Sequence, residues 1–519
     1  MSMVLARKRP RGARVIPQSQ SFSLSAPVRG WNTRDSAADM DPLDAVELEN
    51  FFPEGDRVTV RSGYASHATG VGSGDVETVA EWRGPASSQL IVAGGGELYN
   101  ATSAGSASVI TSSAGYSSDR WQTCNFKGRL FGVNGEDAPW DWTGSTLTST
   151  SWSGTGLTIA DLIYVHPFKG RLYFAEAGSA SFWYGGVGAV TGTLTEFDLS
   201  QIVRRGGYLM AIGSWSQDAG DGLDDLICFV FSTGEVLIYQ GTDPASASTF
   251  AMVGSYFGGR PLSRRCLVQI GGELVVITEN GYIPISLLLQ GGTADTVDRH
   301  PVWGRIRTGA ARAAVAYHDN YGWEAFASAA GKQVIFNVPV TTSSVYQQHV
   351  LNPVTGAWAL YKNLPARTWG EYDGDTYFGG EGGIVYKMTG ATDAGDPISF
   401  RSRQAFNYFG DRGSQKRFTA LRPTVELFGD LTAVLGLDTD YQTLSHTASV
   451  SLDVGPSGAT WDVDAWDVGE WGGGAQTTRK WLTVTGIGRS AAIVFAGTTP
   501  ATTVNWYATD VLLTRGAVA

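Results

Sequence analysis

FKGRLFGVNG at Phe126–Gly135 and FKGRLYFAEA at Phe168–Ala177 share the run Phe-Lys-Gly-Arg-Leu, and their starts lie 42 residues apart. In each, an apolar run meets a glycine, which takes the positive φ of a tight turn without a steric cost, and a second apolar run follows. The same strand–glycine turn–strand pattern recurs more loosely in SSQLIVAGGGELYNAT (87–102), DDLICFVFSTGEVLIYQGT (224–242), VQIGGELVVITENGYIPIS (268–286) and YDGDTYFGGEGGIVYKMTG (372–390), and again near YHDNYGWEAFASAAGKQVIFNV (317–338). Units of roughly 40–50 residues with two to four short strands each are the signature of propeller blades. One such unit cannot bury both faces of its sheet, whereas ringed neighbours can. The spacing predicts an all-β chain with a β-propeller of six to eight blades, seven favoured, over residues 76–390.

Composition agrees. Gly at 67 of 519 residues and 59 aromatics, 17 of them Trp, fit many short strands joined by many turns. The blades lack the recurrent Gly-His and Trp-Asp pairs of WD40 repeats, with Trp140–Asp141 the one Trp-Asp pair in 76–390 and no Gly-His beside it, and the SxDxGxxW box of sialidases is absent. After Gly390 the pattern changes to seven strand-like runs, from PISFRSRQAFNYFG (397–410) to VNWYATDVLLTRG (504–516), which predict a β-sandwich-like module over 391–519. Between them WDVDAWDVGEWGGG (461–474) spaces Trp461, Trp466 and Trp471 by five, matching neither a helix nor a strand, and reads as a structured loop.

Residues 1–27 read as a basic extended arm. Residues 28–75 form a lead-in segment with one short helix at Asp41–Asn50, where Asp41 is the N-cap and Pro42 the first helical residue, followed by a first strand. Thirty-eight basic against 49 acidic side chains give a net charge of −11; setting aside Arg7, Lys8, Arg9, Arg11 and Arg14 leaves the body at −16. Such a body does not grip duplex DNA through its phosphates, although DNA can slide along it without sticking. The five arm cations are read as a docking peptide for a partner of opposite local charge.

Candidate chemistry is sparse. His67, His166, His300, His318, His349 and His446 fall in no nucleophile elbow, zinc pair or Cys-His grouping. Cys124, Cys228 and Cys266 are too scattered for a disulfide framework or a zinc site, and the last two lie in apolar runs. GVGSG (70–74) lacks the Lys-Ser/Thr that completes a phosphate loop. Asp218, Asp221, Asp224 and Asp225 could gather around a cation but lack EF-hand spacing. The expectation is no catalytic residue, no cofactor and no metal. No apolar stretch approaches a membrane span, and the N-terminus lacks a secretory core, which predicts synthesis in a cytosol.

Three stretches carry a family resemblance: GWNTRDSAADMDPLDAVELENFFPEGDRVTVRSGY (30–64), the run from Asp221 to Ser286, and RKWLTVTGIG (479–488) with the Trp-Asp pairs before it. They resemble the tail nozzle, or tail tube, proteins of short-tailed bacteriophages. The resemblance implies a structural virion protein forming a six-copy ring below portal and adaptor, making the distal channel, helping to retain packaged DNA and letting it pass on ejection. It implies no active-site residues, and the basic first 14 residues match no pattern of that family. The alternative from another class is a carbohydrate-binding or glycan-hydrolysing propeller acting as a receptor-binding tail component. It requires carboxylates and exposed Trp in the propeller funnel.

Overall fold

In the computed structural model, the described residues are 19–110, 115–218, 223–291, 294–341, 345–427, 431–446, 449–452, 476–478, 480–499 and 503–518. Strand makes up about 54% of the chain and helix about 6%, so the all-β class holds.

Lys127 and Gly128, and likewise Lys169 and Gly170, all take positive φ, and each pair closes a two-residue hairpin between Phe126 and Arg129 or Phe168 and Arg171. Each hairpin joins the innermost strand of a small antiparallel sheet to its neighbour. Among the described residues there are seven such sheets, with innermost strands Val76–Arg83, Gln122–Phe126, Leu162–Phe168, Leu209–Asp218, Leu267–Ile270, Glu324–Ser328 and Thr368–Tyr372. Each innermost strand contacts that of the next sheet, and the last contacts the first, so the ring is closed. The molecule contains a seven-bladed β-propeller, numbered here as blades 1 to 7 in chain order.

Closure mixes distant parts of the chain. Blade 7 takes three strands from Thr368–Met388, and its outermost strand is Tyr64–Thr69, paired antiparallel with Val385–Met388. Tyr64 packs edge-on against Phe378 and Tyr386 at 5.2 and 5.1 Å between ring centroids.

The C-terminal module is a two-layer sandwich. One layer holds Val504–Val518 and Ser414–Leu427 with Ser19–Ser25, Phe51–Pro53 and Val58–Val60 along its edge; the other holds Asp44–Glu49, Asp396–Gln404, Ala491–Thr499 and Leu431–Thr439. Phe51 and Trp506 from the first layer meet Phe400 and Phe495 from the second, with Phe51–Phe400 at 5.0 Å and Phe495–Trp506 at 5.3 Å. The Trp461–Gly474 loop lies outside the described residues.

Three expectations are corrected. Asp41–Asn50 is not a helix: Asp44–Glu49 is a strand, antiparallel to Arg401–Gln404 and touching the outer strand of blade 6 at Glu49↔Leu360. Its Ala45 and Leu48 enter the sandwich core, and this burial overrides the local helix signals. Asp41 accepts instead from the Leu43 amide, closing a turn at Pro42. The arm gives way before residue 27 to a strand of the sandwich, because Ser19–Ser25 pairs with Ala508–Thr514. Helices occur where none was expected, at Ile285–Leu289, Ala294–Arg299 and Trp303–Tyr317, following the three-stranded blade 5. The longest packs against strand Gly281–Pro284, the outer edge of that blade.

Candidate functional site: the axis and funnel of the propeller

Inner strands of a propeller present alternate side chains to the axis, and here one side chain bridges several of them. Arg265 leads into the inner strand of blade 5. Its guanidinium donates to the Glu77 carbonyl (3.1 Å), Thr78 Oγ1 (3.0 Å), the Trp121 carbonyl (2.8 Å), Thr368 Oγ1 (2.7 Å) and Glu324 Oε2 (3.1 Å). These acceptors belong to blades 1, 2, 7 and 6 and their lead-in loops, so one residue ties the ring across its middle. The Arg265 and Glu324 side chains are each 8% exposed. A cavity of about 170 Å³ beside them is also lined by Tyr164, Gln122 and Trp369.

On one side of this plug the loops entering blades 2, 5 and 6 form a funnel with a cavity of about 340 Å³, lined among others by Arg120, Gln122, Glu136, Arg264, Asp319 and Tyr321. Gln122 borders both cavities. The Arg120 guanidinium lies 4.1 Å from the centroid of the half-exposed Tyr321 ring. Burial, with the charge of Arg265 beside it, pulls Arg120 down to about 10. Arg264, exposed at the rim, donates to the Asn134 carbonyl at 2.9 Å.

The residues singled out from sequence do not converge here. Arg7, Lys8, Arg9, Arg11 and Arg14 lie outside the described residues, as does Asp221. Asp225 pairs with Lys169, and the backbones of Asp218 and Asp224 belong to the hairpin end of blade 4. The six histidines are dispersed. His67 bonds the Ala101 carbonyl, His166 bonds Ser214, and His349 bonds the Tyr282 hydroxyl; His300 accepts from the Val302 and Trp303 amides. His446 pairs with Asp438, and His318 sits at the funnel mouth beside Asp319. Burial pushes the Cys228 and Cys266 thiols up to about 12 and raises Cys124 further. Among the described residues no three His, Cys, Asp or Glu side chains form a metal-holding group, and no helix is long and apolar enough to cross a membrane. Arg120, Arg264 and Arg265 were missed; the visible signal was two adjacent arginines in front of the apolar run CLVQI.

The fold is that of a seven-bladed propeller carrying a sandwich module. No family model and no curated protein matches the sequence. Among solved structures, similarity was found to an exo-β-1,3-galactanase from Phanerochaete chrysosporium, at 9% identity over 75% of this chain and 95% of that one, TM-score 0.24. It was also found to YCF48 from Cyanidioschyzon merolae, at 11% identity over 60% and 81%, TM-score 0.27. PorZ, a bacterial surface component of the type-IX secretion system of Porphyromonas gingivalis, matches at 11% identity over 85% and 59%, TM-score 0.35. At these scores the likenesses carry no assignment of activity.

Proposed function

We propose that this chain is a structural protein of a short phage tail, the nozzle that forms the distal channel, and that it is not an enzyme. The observation that supports the reading most directly is the arginine bridging the axis. With Arg265 spanning the ring, a conduit for DNA has to run between copies of the chain, which is the arrangement of a ring of wedges. In this reading six copies close the ring, a number taken from the family resemblance. The acidic body lines a lumen through which packaged double-stranded DNA passes without specific binding. The other partners are tail proteins on the adaptor or portal side and a distal tail component. The chain is made in the host bacterial cytoplasm and resides in the virion. Arg7, Lys8, Arg9, Arg11 and Arg14 dock on a neighbouring virion protein, starting from the sandwich edge where Ser19–Ser25 is anchored.

The glycan-binding alternative receives less support. No Trp lines the funnel cavity, and the exposed Trp among the described residues is Trp481, 41% exposed, on the sandwich. The test is genetic. Virions lacking the chain should fill their heads and then lose genome during purification, and added protein should restore retention. Chains lacking residues 1–14 should incorporate poorly, with the deficit relative to the full chain largest at low salt and shrinking as salt screens the arm. Virions that hold their DNA without the chain and fail only at host recognition would refute the nozzle reading.

A further inference from the structure

The arginines of the funnel face lack carboxylate partners. Arg204 and Arg205 lie in the loop into blade 4, Arg260 and Arg264 in the loop into blade 5, and Arg120 in the loop into blade 2. None of the five forms an ion pair, whereas most described arginines elsewhere do, including exposed ones such as Arg83 with Glu81 and Arg412 with Asp39. Three acids of this face, Glu235, Glu279 and Asp137, are engaged by backbone amides. Buried Glu235 accepts from the amides of Arg204 and Arg205, not from their guanidiniums, and Glu279 accepts from the amide of Arg260. Asp137 accepts from the amides of Ser117 and Ser118. With those acids held by the backbone, the five guanidiniums outnumber the remaining carboxylates of this face, Glu77, Glu136 and Asp319, on a chain whose net charge is −11.

The loops are contiguous. A Cβ on Gly234 would lie 2.8 Å from the Arg260 amide nitrogen, Arg205 stacks over Phe257 at 3.8 Å, and Arg120 and Arg264 share the 340 Å³ cavity. Arg120 spends one donor on the Trp323 carbonyl, at 3.4 Å, and Arg264 one on the Asn134 carbonyl. A guanidinium carries five N–H donors in a planar fork that matches a carboxylate, so most of this capacity is unused.

We propose that the funnel face is a docking site for an acidic peptide segment of a partner protein, one carboxylate of which enters the cavity to be held by Arg120 and Arg264. A concave pocket of this size takes one side chain. Two acids at its rim, Glu136 and Asp319, repel the closely spaced phosphates of a duplex more than they repel a short peptide able to place its few charges between them. The site stands apart from the tail reading, since an acidic partner segment can belong to any assembly, and its failure would leave that reading untouched.

The test is fluorescence anisotropy of the full chain with a labelled peptide of alternating Asp and Glu, ten residues long, and separately with a short DNA duplex, at fixed ionic strength. Saturable peptide binding is expected. Each of Arg264→Gln and Arg260→Gln should weaken it about tenfold, the scale of one lost hydrogen bond to a charged group. Arg83→Gln and Arg412→Gln should leave it unchanged. Because Arg264 and Arg260 are exposed, their loss does not threaten folding; Arg120→Gln is added with a thermal melt to show that it folds. Absence of peptide binding, or equal loss in the four exposed variants, overturns the site. Tighter binding of the duplex than of the peptide overturns the choice of partner.

Discussion

Replacing Arg265 with alanine should be among the most destabilising single changes in the propeller. The side chain makes five hydrogen bonds to four other blades and their loops. At about 1.5–3 kcal/mol for each bond to a charged group, a simple sum exceeds about 7 kcal/mol. That figure is too high. Truncation enlarges the 170 Å³ cavity beside the guanidinium, and water entering it can rehydrate the carbonyls and threonine hydroxyls. What water replaces poorly is the counter-charge of Glu324, 8% exposed and held otherwise by long contacts from Thr368 Oγ1 (3.3 Å) and the Trp369 amide (3.4 Å). Breaking a buried pair by removing one partner costs about 3–5 kcal/mol, and that is the expected loss. Arg265→Lys, which keeps the charge and loses the fork, should fall between alanine and the native chain. The assay is urea unfolding followed by Trp fluorescence, in a cycle with Glu324→Gln. If the orphaned carboxylate dominates, the double variant should be more stable than Arg265→Ala alone. A loss below about 1 kcal/mol for Arg265→Ala, or purely additive effects in the cycle, would refute the reasoning.

Two further outcomes are expected. Gly370 lies in the inner strand of blade 7, where a Cβ would sit 2.5 Å from Val79 Cγ1 and 2.8 Å from the Val79 carbonyl of blade 1. Gly370→Ala should therefore open the seam that closes the ring, at about 1–3 kcal/mol in the same assay, and an unchanged midpoint would show that the seam has slack. Burial holds the His349 imidazole down at about 4, below its unfolded value near ~6.5, so the unfolded chain takes up the proton first. Stability should fall as pH drops from ~6.5 towards 4, by about 2 kcal/mol between pH 7 and pH 5 from this residue. His166, also held at about 4, adds a loss of the same sign. His349→Gln should flatten the profile in that window, and parallel curves for native and variant chains would contradict the assignment.

The blades were legible because their turns are local chemistry. Lys127–Gly128 and Lys169–Gly170 occupy positive φ, and the spacing of those two turns is the spacing of blades. The strand Asp44–Glu49 was not legible. Its partners Arg401–Gln404 and Leu360 lie more than 300 residues away, and nothing in DPLDAVELEN announces them. Helix Trp303–Tyr317 escaped because its buried stripe is Trp303, Ile306, Ala310 and Ala314; alanine marks a face only weakly by hydropathy. Its fit depends on smallness instead, since the Gly309 amide donates to Thr33 Oγ1 at 2.9 Å and a Cβ there would meet Thr33 at 3.0 Å. The funnel was invisible for a different reason. Arg120, Arg264 and Tyr321 come from three loops with no shared motif, and only ring closure brings them to one cavity.

How propeller and sandwich are joined bears on what the whole chain can do. Gly30 pairs with Trp358 and Glu49 with Leu360, so the outer strand of blade 6 continues through the lead-in strands into a layer of the sandwich. At the same junction the Arg61 side chain is fully buried. It grips Asp393 with both terminal nitrogens, at 2.8 and 2.6 Å, and donates through Nε to Asn50 at 2.9 Å and through Nη2 to the Lys362 carbonyl at 3.2 Å. A hinge here would have to separate backbone pairing and leave a buried carboxylate without its cation, a cost of about 3–5 kcal/mol from the ion pair alone. The two bodies are therefore held together as one unit, and bending at this junction is costly. Nor can the propeller axis open: a double helix whose major groove alone is about 12 Å wide has no route past one arginine bonded to four blades. Under the tail reading, the width of the channel is then set by how rigid copies meet side by side. Changes that widen or seal it should map to their lateral faces and not to the axis.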